Sequence, residues 1–380
     1  MAKYIPRYLE DGIKEDLKKK MVFVAGPRQC GKTTLAKKLL KEEMGDKAES
    51  FYLIWDAAED RENIIRERFP AGPGLLVLDE IHKYSRWRQV VKGLFDKRKQ
   101  KLKILVTGSG RLDYYRYGGD SLQGRYYFYR LYPFSFKEIK DVSSRPVEDL
   151  LNFSGFPEPF LARNERDCRR WSRDYRTRLI YEDLNTLENV RDIALLEQLA
   201  LRLPDLVGSP LSVNALREDL QVSHKTVMRW LGMFENIFMS FRIYPFGPPK
   251  IRAVKKEPKL YLYDWTPISD LGARFENLIA FHLLKWVHFQ QDYNGLNVEL
   301  RYFRDVHRNE VDFVILQDNV VKQLIECKLR TREVNPALRM LKRRFPQAEA
   351  IQVALHSEQE YVDKNGVLVT TAERFLEKLI

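Results

Sequence analysis

The chain has 380 residues, of which 44% are hydrophobic, 12% aromatic and 31% charged, which is too long for one ordinary core and suits two or three packed domains. The formal net charge of +12 favours nucleic acid or another anionic surface as partner, unless it serves solubility alone. No apolar run approaches the roughly 20 residues of a membrane helix, residues 1–20 lack the apolar stretch of a secretion signal, and the scattered Cys30, Cys168 and Cys327 support neither a disulfide framework nor a zinc ribbon, so a cytoplasmic protein with no membrane partner is expected.

Residues 1–20 read as a short helical lead-in. Met21–Ala25 is a continuous apolar run, the pattern of a buried parallel strand. It runs into Gly26-Pro27-Arg28-Gln29-Cys30-Gly31-Lys32-Thr33, which fits G-x-x-x-x-G-K-[ST]. Leu35, Leu39 and Leu40 then give 34–41 helical spacing, so the motif lies between a strand and a helix, as it must. The glycines let backbone N–H groups close on phosphate oxygens, and the helix N-terminus adds a favourable dipole. Gly26 to Thr34 are therefore the expected nucleotide-binding residues, with Lys32 neutralising phosphate charge and Thr33 ligating Mg²⁺.

Further strands are predicted at 51–55, 75–78, 103–107 and 126–130, with helices between them, which implies a mostly parallel sheet covered on both faces. The third strand ends in Asp79-Glu80. Asp79 is expected to hold Mg²⁺ and Glu80 to polarise the attacking water as general base; a helix-capping pair is the plainer alternative. Ser109, at the end of the fourth strand, is expected to orient that water, with Thr107 as second choice. Arg125 is either an arginine finger, acting in its own chain or across a homo-oligomer, or a surface ion pair.

After about residue 134 the chain reads as helices to about 205. One of them carries Arg163, Arg166, Arg169, Arg170, Arg173, Arg176 and Arg178, either a solvated face or a phosphate-contacting one. Residues 209–246 resemble a winged helix-turn-helix, with Ser212 and Ser223 as helix caps and wing strands starting near 243–246. Such a module enters a DNA groove or serves as plain packing. Residues 247–258 are rich in proline and basic residues, as a linker or extended wing would be.

The runs GPRQCGKTT, LLVLDEIHK, TGSG and SLQGR with PFSFKE are together similar to a prokaryotic family of AAA+-related ATPases. Ser154-Gly-Phe-Pro-Glu158 and Arg173-Asp-Tyr175 fit the same family, while Gly110 stands where it would have a small polar residue. The resemblance covers nearly the whole chain. It implies an AAA+-like sheet, a helix-turn-helix and a C-terminal domain resembling restriction-endonuclease-like nucleases. The expected fold class is accordingly α/β: an AAA+-like P-loop NTPase domain (1–135), a helical and winged-helix middle (136–258) and a restriction-endonuclease-like α/β domain (259–380).

The C-terminal part has strands expected at 260–263, 299–304, 310–316, 322–328 and 350–355. Asp312 and Glu326-Cys-Lys328 resemble the D…E-x-K core of the PD-(D/E)XK nuclease superfamily, without the proline before Asp312. Alternation puts Glu326 and Lys328 on one face. A hairpin centred on Asn319 would set Asp312 directly opposite Glu326. Like charges so placed destabilise, and a divalent cation would compensate them. Glu276, on the apolar side of a helix, is the third expected ligand, and Lys328 would orient water or offset phosphate charge. The plainer alternative is a hairpin in which Lys328 pairs with a carboxylate. Asn335-Pro336 reads as an N-cap and first helical residue, with Arg339, Lys342 and Arg343 facing a phosphate backbone.

ATP with Mg²⁺ is thus the expected cofactor, with Mn²⁺ as an alternative at the C-terminal site, and nucleic acid, DNA first, the expected partner. Two readings follow: ATP coupled to a metal-dependent DNA nuclease, or an ATP-driven switch carrying an inactive nuclease-like scaffold. A P-loop small-molecule kinase is the weaker third.

Overall fold

All five residues of β1 (Met21–Ala25) are buried, as the unbroken apolar run requires of a strand covered on both faces. In this computed structural model, which describes residues 4–109, 112, 122–184, 192–247, 257–330, 333–357 and 360–380, the chain forms two compact units, Met1–Phe134 and Ser135–Ile380.

In the first unit β1 lies at the inside of a five-stranded parallel sheet with β2 (Tyr52–Ile54), β3 (Gly74–Asp79), β4 (Leu102–Gly108) and β5 (Tyr126–Arg130), in the order β2-β3-β4-β1-β5. Register pairs Val24 with Thr107, and Asp79 with Thr107 on the other side of β4. The carboxyl ends of β1, β3 and β4 therefore meet at one edge. Leu75, Leu76, Val77 and Leu78 are at most 1% exposed, and each such side chain contributes about 1.5–3 kcal/mol on burial. Helices Lys32–Met44 and Trp87–Arg98 pack onto the sheet, burying Leu35, Leu39 and Leu40 from the first and Val90, Val91 and Leu94 from the second.

The second unit begins with helices. Glu165–Arg178 buries Cys168, Trp171, Ser172 and Tyr175, while Arg166, Arg169, Arg170, Arg173 and Arg178 face solvent. Phe156, Trp171 and Tyr175 pack ring against ring at 4.8–4.9 Å. Helices Val213–Leu220 and His224–Asn236 follow as a helix-turn-helix pair. Ser212 accepts from the Ala215 N–H and Ser223 from the Thr226 N–H, so both expected caps form.

The strand after them does not start a free wing. β6 (Ser240–Pro245) pairs antiparallel with β7 (Lys259–Leu262) and parallel with β8 (Val298–Arg304), inside an eight-stranded mixed sheet. The reason is burial: Phe241 and Ile243 are too apolar to leave in a solvated hairpin. Gly110 and most of 247–258 lie outside the described residues.

The rest of that sheet is β9 (Glu310–Gln317), β10 (Val320–Arg330), β11 (Glu349–His356), β12 (Tyr361–Val362) and β13 (Val367–Thr371), in the order β12-β13-β11-β10-β9-β8-β6-β7. The 22-residue helix Leu271–Asp292 packs on it. Leu338 and Leu341 of Pro336–Arg344 join Val314, Leu316 and Leu324 in another core cluster. Among the described residues no helix is long and apolar enough to cross a membrane.

Candidate functional site

Two polar clusters stand out, one in each unit. The first is at the carboxyl edge of the parallel sheet. Gly26 follows β1 directly, and a Cβ there would lie 2.0 Å from the Leu131 carbonyl oxygen, so only glycine fits. Gly31, at φ 101°, is the N-cap of Lys32–Met44, whose first turn carries no side-chain cap and so offers its N–H groups to an anion. Between them Pro27 and Cys30 are buried and Arg28 and Gln29 half-buried. Cys30 donates its thiol to the Leu131 carbonyl at 3.3 Å. Lys32 folds back on its own loop, donating to the carbonyls of Pro27 (2.6 Å) and Gly26 (3.1 Å). Thr33 and Thr34 are exposed at the helix start.

Asp79 is the meeting point. Thr33 Oγ1 donates to its Oδ2 at 2.8 Å, and Tyr52 and Thr107 also donate to the carboxylate. A hydroxyl and a carboxylate so close fit the hard oxygen ligation of Mg²⁺. Thr107, the register partner of Asp79, takes the place beside it; Ser109 instead contacts His82 Nε2 at 3.3 Å. Glu80 next door has φ 57° and ψ 19°, a left-handed conformation that costs on the order of 1 kcal/mol or more for a residue with a Cβ. Its N–H is tied to the Thr107 carbonyl at 2.9 Å. Burial pushes its carboxyl above the usual range, against the opposing pull of Lys32 and Lys83.

Sequence reasoning missed three members of this cluster. Tyr52 comes from β2, where an aromatic reads as ordinary strand filling. His82 is 4% exposed, and the same Nε2 that contacts Ser109 has Glu80 Oε2 at 3.7 Å. Lys83 pairs with Asp56 (2.6 Å) and approaches Glu80 (3.5 Å). The signal for the last two was their position directly after Asp79-Glu80. Arg125 makes a two-point ion pair with Asp96, at 2.8 and 3.2 Å, on the Trp87–Arg98 helix. In this structure Arg125 is thus held in an ion pair.

The second cluster lies in the eight-stranded sheet. The paired register of β9 with β10 ends at Phe313 opposite Ile325. One residue further on, side chains replace the ladder: the Asp312 N–H donates to Glu326 (3.3 Å) and the Cys327 N–H to Asp312 (2.9 Å). The turn is Asp318-Asn319, both with positive φ, rather than one centred on Asn319. A bulge between Val321 and Gln323 restores the expected juxtaposition.

The compensation assigned to a divalent cation is supplied here by protein cations. Lys259, from β7, is 0% exposed and reaches Glu310 (2.6 Å), Glu276 (3.0 Å) and Asp312 (3.3 Å). Lys328 binds Glu326 at 2.6 Å and Arg304 binds Glu310 at 2.9 Å. Tyr261 donates to Glu276 at 2.7 Å, and Asn335, which also caps Pro336–Arg344, donates to Glu326. Burial, and then the charge of Asp312, push the Glu276 and Glu326 carboxyls up. Burial alone would lower the Lys259 ammonium, but its anionic neighbours hold it well above its ordinary value. Among the described residues no group of three or more His, Cys, Asp or Glu is arranged to hold a metal ion. Arg339 is paired with Asp363 (2.9 Å), Lys342 with the Ala348 carbonyl (2.8 Å) and Arg343 with Asn365 (3.4 Å), instead of standing free for a phosphate backbone.

Comparison with known proteins adds the following. Residues 18–140 match the family described as AAA domain. Residues 144–271 and 271–375 match two domains of unknown function, DUF8612 and DUF4143. The chain is similar to an uncharacterized protein of Mycobacterium tuberculosis, at 25% identity over 64% of this chain and 54% of that one. A Haemophilus influenzae protein is 26% identical over 62% of this chain and 65% of its own length. A Methanocaldococcus jannaschii protein is 22% identical over 89% and 80%. The chain thus spans about half, 54%, of the mycobacterial relative. Among solved structures, the Aeropyrum pernix ORC1 protein in complex with DNA aligns at 12% identity and a TM-score of 0.37, over 74% of this chain and 95% of that one. The AAA-domain match thus spans the P-loop, Asp79-Glu80 and all five strands of the parallel sheet.

Proposed function

We propose that the protein binds and hydrolyses ATP at the first cluster and works as an ATP-driven switch on nucleic acid, DNA first. The observation that carries this is the convergence of Thr33 and Asp79 at 2.8 Å, with Glu80 in the next position. The Lys32–Met44 N-terminus and Lys32 would hold the β- and γ-phosphates. Thr33 and Asp79 would hold Mg²⁺, which when bound offsets charge on the phosphate oxygens. Glu80, its proton affinity raised by burial, would take the proton of the attacking water.

The nucleic-acid half rests on the net charge of +12 and on the capped helix pair, whose second helix exposes His224, Lys225, Met228 and Arg229. Phosphate release from ATP, with and without duplex DNA, tests both halves. Wild type should hydrolyse and Lys32→Ala should not; a wild type that binds no ATP, or binds it without turnover, would sink the reading. The Lys225→Glu/Arg229→Glu variant should lose DNA affinity and keep basal hydrolysis.

A second reading, cleavage by the C-terminal unit, is favoured by one observation: Asp312, Glu326 and Lys328 do come together on adjacent strands. Labelled single-stranded, duplex and branched DNA, incubated with Mg²⁺ or Mn²⁺, distinguishes the two. Cleavage abolished by Lys328→Ala would establish a nuclease.

A further inference from the structure

Lys259 satisfies a demand that is usually a metal's. Its ammonium has three N–H donors, and three carboxylate oxygens from two different elements meet it: Glu276 from the long helix, and Glu310 and Asp312 from β9, all within 3.3 Å. The side chain has no solvent exposure, and its far side lies over the Tyr302 ring at 5.6 Å. Other oxygens of the cluster are engaged as well. Arg304 takes Glu310 Oε2, the Cys327 N–H takes Asp312 Oδ2, and Lys328 takes Glu326 Oε1.

The charge count leads to the same place. With all four carboxylates ionised, Glu276, Glu310, Asp312 and Glu326 face three cations (Lys259, Lys328, Arg304), leaving one net negative charge. A divalent ion added to this set would leave a buried net positive charge, held beside an ammonium that already binds the same oxygens. Without Lys259 the set would carry two negative charges, the amount one divalent ion neutralises.

We infer that Lys259 is the resident counter-cation of this cluster, standing where a divalent ion would stand, so that the C-terminal site takes no divalent cation while Lys259 is present. The inference is independent of the ATPase reading. It makes the cluster a locked internal charge network and a latent metal site.

The test is an Mn²⁺ titration of nucleotide-free, full-length protein, with free Mn²⁺ read by its electron paramagnetic resonance signal. Asp79→Asn in every sample removes the P-loop unit's metal ligand. With Lys259 intact, no bound Mn²⁺ is expected. Lys259→Met, neutral and of similar length, should gain one Mn²⁺ per chain, and adding Asp312→Asn should abolish it. Mn²⁺ bound with Lys259 intact and lost on Asp312→Asn overturns the inference. So does a folded Lys259→Met protein that binds none. Circular dichroism checks folding; if Lys259→Met does not fold, Lys259→Gln replaces it, and the lysine-intact arm decides without either variant.

Discussion

Thr33 Oγ1 donates to Asp79 Oδ2 at 2.8 Å across 46 positions of sequence. The bond joins the first helical turn after the P-loop to the end of β3. Tyr52 and Thr107 donate to the same carboxylate, so three hydroxyls fix its orientation. Removing one, as in Tyr52→Phe, should cost about 0.5–1.5 kcal/mol of stability. It should also weaken Mg²⁺ dependence, seen as a higher Mg²⁺ concentration for half-maximal ATP hydrolysis. An unchanged Mg²⁺ profile would separate Tyr52 from the site.

Glu80 is the expected base. Glu80→Gln should lower turnover about 10²- to 10⁴-fold while leaving ATP binding, followed by a fluorescent analogue, near wild type. Because burial raises the Glu80 pKa, the acid limb of the rate profile should begin above the ordinary glutamate range. Turnover should be lost as pH falls through that raised value and be full above it. A Glu80→Gln variant with wild-type turnover would remove Glu80 from the chemistry.

At Gly26 a methyl group would collide with the Leu131 carbonyl at 2.0 Å, and that atom belongs to the backbone, so it yields only by moving the chain. Gly26→Ala should destabilise the first unit by about 1–3 kcal/mol and lose ATP binding. Denaturant midpoint and nucleotide titration check the two effects.

His282 gives a pH dependence of stability. It is wholly buried, with Nε2 accepting from the Phe136 N–H at 2.9 Å and Nδ1 2.7 Å from the Leu278 carbonyl. Burial lowers its pKa from 6.5 to about 4. The unfolded chain therefore binds more protons between those values, so stability is full above about 6.5 and falls as pH drops towards about 4. The loss should reach about 3 kcal/mol. His282→Gln, with a neutral side chain that does not titrate, should flatten that slope in urea titrations at several pH values. An unflattened slope would assign it elsewhere.

Lys259 carries a stability prediction of its own. Removing one partner from a buried ion cluster costs about 3–5 kcal/mol, so Lys259→Met should lower the denaturant midpoint markedly in the absence of divalent ions. Lys140, half-buried and paired with the exposed Glu377, should show almost no effect when changed to Met.

Short-range features were legible in the residues themselves. The P-loop, the buried run of β3 ending in Asp79-Glu80, the Ser212 and Ser223 caps and the Asn335 cap depend on neighbours within a few positions, and there local propensity and hydrogen-bonding chemistry leave few options. The approach of Asp312 to Glu326 was also legible, though by a different route. The Asp318-Asn319 turn and a bulge near Lys322 together give the alignment that a single Asn319-centred turn would have given.

Tertiary structure alone decided which groups answer which charges. Thr107 rather than Ser109 meets Asp79, because the register of β3 with β4 makes them partners. The strand after the helix-turn-helix joins a sheet because its apolar side chains find cover there. Lys259 is 17 and 53 positions from Glu276 and Asp312, and in sequence it is one lysine near a basic, proline-rich stretch. Charge is balanced through space in a low-dielectric interior, where an ammonium and a divalent ion can answer the same carboxylates, and only the fold shows which one is supplied by the chain.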